Sequence, residues 1–247
     1  MKPPRIVITA SDGALPGLAA ALNAAGFAAV HHPLVVVRPP EDWDAVDTTL
    51  AQLNRFEAAV FTSPRAVHAV LGRMALRGVE LPPRLAIWAA GDATAAPLAG
   101  VASRVQLAPA AAVGRNGAGT ALAAAMLAAG VPGPVVFFCG DPHRPELADA
   151  LRLADVECHE VICYRTRPVN PQKARLALDG ADAAVVASPL AARLVIEAVP
   201  RPLPQLIALG PTTANAARAF GWEPAGIARQ PDAESLVAAA SALLTAR

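Results

Sequence analysis

Reactive side chains are scarce in this chain. Of its 247 residues one is tyrosine, three are cysteine and five are histidine. The cysteines, Cys139, Cys158 and Cys163, form no CxxC and are odd in number, so a disulfide framework is excluded and a reduced, cytosolic chain fits. His31, His32, His68, His143 and His159 lack metal-ligand spacing, and Cys158-His159 are neighbours on alternate faces of an extended run, so no metal is expected. Charge of either sign is sparse and unclustered: 21 Lys and Arg balance 20 Asp and Glu, which gives no reason to expect a nucleic-acid partner. The start, MKPPRIVITA, has too short an apolar run before Ser11 and Asp12 for a signal peptide. Asn116–Gly140 has no charge, but Gly130, Pro132, Gly133 and Pro134 interrupt it. It reads as helix, turn and buried strand, not as a membrane span. Gly114–Thr120, GRNGAGT, has no lysine and follows no clear strand, so it reads as a loop and not as a phosphate-binding loop.

Apolar residues, at 54%, are plentiful enough for a packed core, and they are arranged twice over. Ala58–Leu71, AAVFTSPRAVHAVL, is a run for a strand buried on both faces, then a Ser63-Pro64 helix start. It recurs at Ala183–Ile196, with Ser63-Pro64 answered by Ser188-Pro189. Gly91, Thr94 and Ala95 return as Gly210, Thr213 and Ala214, and Asp12, Leu18 and Leu22 return as Asp141, Leu147 and Leu151. The chain is a duplicated α/β half.

In order, strands are expected at Arg5–Thr9, Phe27–His31, Ala58–Thr62, Leu85–Ala89, Val105–Leu107, Val135–Phe138, Ala183–Ala187, Gln205–Leu209 and Ala225–Ala228. Helices are expected at Leu15–Ala25 (behind a Ser11-Asp12-Gly13 turn and cap), Trp43–Leu53, from Pro64, from Gly91, Thr120–Ala129, Pro145–Ala154, Gln172–Leu178, Leu190–Val199, Thr212–Phe220 and Ala233–Ala246. The alternation implies parallel sheets. Two proline-bounded extended runs, Pro33–Arg38 and Glu157–Thr166, hold equivalent places and read as a paired connector between two domains.

Ligands of open parallel sheets bind beyond the carboxyl ends of the strands, where helix N-termini favour anions. Hydroxyl-rich turns at Thr62–Arg65, Gly91–Thr94, Ser188–Leu190 and Gly210–Thr213 make an anion cleft the expectation, although any one such hydroxyl could equally do no more than cap its helix. Tyr164, the sole tyrosine, ends the second connector beside Arg165 and Arg167. It either packs against the other connector or delivers a proton to a leaving group.

Taken together, FTSPRAV at Phe61–Val67, the Gly91–Ala95 turn, YRT at Tyr164–Thr166, LGPTTA at Leu209–Ala214 and QPDAESL at Gln230–Leu236 resemble the uroporphyrinogen-III synthase family over nearly the whole chain. The resemblance implies two flavodoxin-like parallel-sheet domains with exchanged duplicated units, joined by a two-stranded connector. Residues 1–34 and 168–247 would form one domain, 39–160 the other, and 35–38 with 161–167 the connector. The implied reaction is a hydro-lyase step of haem biosynthesis: cyclisation of the linear tetrapyrrole hydroxymethylbilane, with inversion of ring D and loss of water. No cofactor or metal is implied, and the partners are that substrate alone, with no nucleic acid or membrane, in a cytoplasmic monomer. Tyr164 matches the family tyrosine thought to assist loss of hydroxide. The candidate substrate-binding residues are Thr62, Ser63, Arg65, Gly91, Thr94, Ser188, Gly210, Thr212 and Thr213. Two departures point to an alternative, a catalytically diverged tetrapyrrole-binding relative. Ala10-Ser11 stand where the family often has arginine, and Cys139 stands where it often has the arginine of an RGD turn. A two-domain nucleotide-sugar transferase is disfavoured by the absent phosphate loop and the short chain.

Overall fold

The computed structural model describes residues 2–109, 117–200 and 202–244. Gly114, Arg115 and Asn116 of the glycine-rich stretch, and residues 245 and 246 of the expected last helix, lie outside them.

The described chain separates into two compact units, Met1–Val37 with Arg167–Arg247, and Arg38–Thr166. The first holds a five-stranded sheet built from β1 (Arg5–Ile8), β2 (Ala28–His31), β9 (Ala183–Val186), β10 (Gln205–Ala208) and β11 (Gly226–Ile227), in the order β11-β10-β9-β1-β2. The second holds β4 (Ala58–Phe61), β5 (Ala86–Ala89), β6 (Val105–Leu107), β7 (Val135–Asp141) and β8 (Cys158–Pro168). With β3 (Val35–Arg38) at the edge, its order is β3-β8-β7-β4-β5-β6. Apart from β3 the two orders are the same pattern, and the duplication extends to register. Ala58 pairs with Val135 and Ala86 in one sheet, and its counterpart Ala183 pairs with Ile6 and Gln205 in the other. The first βαβ segment thus joins the last third of the chain, and the two proline-bounded runs lie side by side as β3 and β8.

The central strands are apolar without alternation because both faces are covered. On β4, Ala59 and Phe61 enter one core with Val67, Val70 and Phe138. Ala58 and Val60 enter another with Leu122, Met126 and Leu147. The other sheet does the same, with Ala184 and Val186 on one face and Ala183 and Val185 on the other.

Helix starts repeat as well. In α3 (Pro64–Arg77) the Ser63 hydroxyl accepts from the Ala66 N–H at 3.3 Å, and in α8 (Pro189–Ala198) the Ser188 hydroxyl accepts from the Ala191 N–H at 3.1 Å. The other α-helices among the described residues are α1 (Leu18–Ala24), α2 (Asp44–Ala51), α4 (Asp92–Ala95), α5 (Ala118–Ala128), α6 (Glu146–Leu153), α7 (Pro171–Leu178), α9 (Pro211–Ala219) and α10 (Ala233–Leu244).

Three expectations are corrected. The first helix begins at Leu18, not Leu15, because Gly17 sits at φ 78 as its N-cap; Ser11 caps nothing there and donates to the Val35 carbonyl at 2.9 Å. The helix from Gly91 lasts one turn and tightens to a 3₁₀ turn at Ala96–Leu98, since Pro97 has no N–H to continue the ladder. Its counterpart α9 has Ala216 at that place and runs on to Ala219. The stretch read as a glycine-rich loop turns helical at Ala118, behind Gly117 at φ 81.

Candidate active site

Alternation along β8 ought to put Tyr164 on the same face as Ile162. The pairing with β7 slips instead: Cys139 faces Ile162, Gly140 faces Tyr164, and Cys163 is the extra residue of a β-bulge. Cys163 and Tyr164 both join the core cluster under α3, whereas Ile162 packs on the opposite side. The bulge is held by the buried Cys163 thiol, which donates to the Cys139 carbonyl at 3.2 Å. Re-aimed in this way, the Tyr164 phenol lies 3.1 Å from the Ser63 Oγ at the carboxyl end of β4. Ser63 already accepts the Ala66 N–H, so its one hydroxyl proton can go to the phenol oxygen, which leaves the phenol's own proton free to point outward.

The pair opens into a cavity of about 310 Å³ within the second unit. Its walls are the Thr62-Ser63 turn, the start of α5 from Gly117 to Thr120, Gly140 and Tyr164, and the loop entering α6 with Pro142, His143, Arg144 and Glu146. The His143 ring is clamped. Its Nδ1 faces the Gly140 carbonyl at 3.0 Å and its Nε2 faces the Glu160 carboxylate at 2.6 Å. Arg152 also donates to Glu160. Burial works against the Glu160 charge, but the hydrogen bonds from His143 and Arg152 outweigh it and hold the carboxyl below its ordinary range.

The structure thus gathers Thr62, Ser63 and Tyr164 at one cavity. Arg65 follows in the first turn of α3, half-buried. Gly91 and Thr94 lie past the end of the neighbouring strand β5, where the Thr94 side chain is buried and its N–H donates to the Gly91 carbonyl at 2.9 Å. Ser188, Gly210, Thr212 and Thr213 occupy the equivalent turns of the other unit. There Ser188 caps α8, Thr213 is buried like Thr94, and Thr212 is exposed. Hydroxyls at these turns are therefore largely spent on caps or turned inward. The residues that sequence reasoning passed over are Gly140, Thr120, His143 and Arg144. The available signal was that 140–144 follow the carboxyl end of a strand in a parallel sheet.

The positions that differ from the family arginines are apolar core positions here: Ala10 and Cys139 are 3% and 1% exposed. Burial pushes the Cys139 thiol up to about 12, Cys163 to about 12 and Cys158 to about 11, so none is a nucleophile at neutral pH. Among the described residues no three His, Cys, Asp or Glu side chains converge as a metal-ion site, and no helix is long and apolar enough to cross a membrane.

Among solved structures, a mutant uroporphyrinogen III synthase from the extremely thermophilic bacterium Thermus thermophilus matches with a TM-score of 0.69 and 16% identity, over 99% of this chain and 100% of that one. Uroporphyrinogen-III synthetase from Helicobacter pylori 26695 matches with a TM-score of 0.64 and 16% identity, over 97% and 99%. At such identity the likeness is one of fold, the two-domain α/β architecture derived above. No curated protein sequence matches significantly. The family model for uroporphyrinogen-III synthase HemD matches residues 17–238, and the chain therefore belongs to the uroporphyrinogen-III synthase family.

Proposed function

We propose that this chain carries out the reaction of its family with Tyr164 as proton donor. Uroporphyrinogen-III synthases close hydroxymethylbilane to uroporphyrinogen III in tetrapyrrole and haem biosynthesis. The terminal carbon–oxygen bond breaks and the departing hydroxyl takes a proton, leaving as water. The hindered carbon of ring D then bonds to the freed methylene, its old bond to the bridge from ring C breaks, and that bridge re-forms at the ring's unsubstituted carbon, so the ring ends inverted. The closing macrocycle sheds one proton, which balances the one the phenol gave. Nothing is oxidised or reduced, so the reaction needs no redox cofactor.

The observation that carries this reading is the Tyr164 hydroxyl, 3.1 Å from Ser63 at the mouth of a cavity in the catalytic family's fold. Hydroxide leaves poorly, and a positioned acid contributes roughly 10²–10⁴-fold to such a step. Unassisted closure gives the uninverted isomer, so the rest of catalysis is positioning of a substrate that bears many carboxylates. We assign their binding to the turns: Thr62, Ser63, Arg65, Gly91 and Thr94 in one unit, and Ser188, Gly210, Thr212 and Thr213 in the other. With so many of these hydroxyls engaged or buried, backbone N–H groups and the Arg65 side chain carry most of the contact. Arg144 adds positive charge to the cavity that Tyr164 lines. The working domains are residues 1–34 with 168–247, and 39–160, with 35–38 and 161–167 as connector. The enzyme acts as a cytoplasmic monomer without nucleic acid, metal or cofactor.

The test is to supply hydroxymethylbilane, oxidise the products to porphyrins and separate the isomers. Type III in excess of the uncatalysed type I is expected. Tight binding with type I alone would make the chain a non-catalytic relative.

A further inference from the structure

Tyr164 and Ser63 do not sit on neighbouring strands. The sheet order is β8-β7-β4, so the phenol has to cross β7 to reach the turn after β4. Adjacent strands are about 4.8 Å apart, so the side chain and its hydrogen bond together span roughly two spacings. It crosses at Gly140, its own pairing partner on β7. A Cβ built on Gly140 would stand 2.3 Å from the Tyr164 Cζ, 2.6 Å from Cε2 and 2.7 Å from the phenol oxygen. Real Cβ contacts of that length do not occur, and the obstructing atoms are the rigid tip of the ring. Backbone conformation does not explain the glycine, because Gly140 is not among the residues at positive φ.

The other half of the duplication provides the contrast. By the spacing that aligns Asp12 with Asp141, Ser11 answers Gly140 and Val35 answers Tyr164. There no aromatic ring has to pass: Ser11, just beyond the end of β1, carries a hydroxymethyl group that donates to the Val35 carbonyl at 2.9 Å. The half with the tyrosine has glycine at that place.

We propose that Gly140 is a positioning residue for catalysis: its missing side chain is the gap through which the Tyr164 phenol reaches Ser63 and the cavity. This rests on the reading of Tyr164 as the acid, and the two ideas fail separately.

The test uses the full chain and the fact that Tyr164 is its only tyrosine, so ring-labelled tyrosine gives one set of ring NMR signals. In Gly140→Ala those signals should shift away from wild type. Turnover should fall about 10²-fold or more, the range of a displaced acid. KM should move by less than about threefold, because the lost interaction is made in the transition state. An unshifted ring signal in a folded Gly140→Ala overturns the proposal, whatever the activity. Should Gly140→Ala fail to fold, the double variant Gly140→Ala/Tyr164→Ala decides. Recovery of the melting temperature of Tyr164→Ala alone shows that the ring is what the methyl meets, and no recovery overturns it. Full activity in Tyr164→Phe would remove the acid role and leave the ring displacement still to be read by NMR.

Discussion

Among the described residues, neither a thiol nor a histidine competes with Tyr164 for the acid's role. The three thiols are buried, and His143, the histidine at the cavity, has both ring nitrogens engaged. Phenols keep their proton at neutral pH and so can donate it. Tyr164→Phe keeps the ring over Gly140 and its packing under α3 but removes the proton. The expected result is a chain with near-wild-type melting temperature and turnover lower by about one to three orders of magnitude, with substrate affinity much less changed. Unchanged turnover, together with a destabilised Tyr164→Ala, would make Tyr164 a packing residue of the connector. Tyr164 stood out in the sequence because it is alone, and Ser63 because serine-proline after an apolar run announces a helix start. Gly140 and His143 did not. What makes Gly140 matter is empty space, and what aims Tyr164 is a one-residue slip at Cys163; neither has a periodicity to read.

Among the elements, the strand cores and caps were legible because each has a local cause, and the misreadings fell where one residue overrode the pattern, as Gly17 and Pro97 do. A tie that sequence could not reveal joins β8, α6 and the loop between β7 and α6: Glu160 receives hydrogen bonds from both Arg152 and His143. The pH behaviour follows from the direction of its shift. A carboxyl held below its unfolded value contributes stability in full above that unfolded value, near about 4.3, and loses it as pH falls through the folded one. Glu160→Gln should therefore lower stability at pH 7 by on the order of 1–2 kcal/mol, seen as a lower melting temperature, since hydrogen bonds to a charged group are lost. The gap to wild type should close as the buffer is taken below about pH 4. A gap that is constant with pH would mean that the glutamate charge contributes nothing.

At the scale of the molecule, the duplication makes two units of one pattern with unequal chain routes. Among the described residues, the cores under and over the six-stranded sheet draw on the segment from Trp43 to Tyr164. The cores of the five-stranded sheet need both ends of the chain: Ile6, Ile8, Leu18 and Leu22 pack with Ile207, Leu236 and Ala240, and β1 lies between β2 and β9. A unit with its own core folds by itself, and one missing a central strand exposes apolar surface on both of its faces. A fragment of residues 33–170, which keeps β3 against β8, should melt cooperatively and give the same Tyr164 ring signals as the full chain. A fragment of residues 167–247 should show no cooperative transition by circular dichroism until residues 1–37 are supplied, in trans or through a short linker. Adding them should restore it, because β1 then fills the gap beside β9 in the register Ile6 to Ala183. Cooperative folding of 167–247 alone, or none in 33–170, would mean that the exchanged segments are not the folding units of this chain.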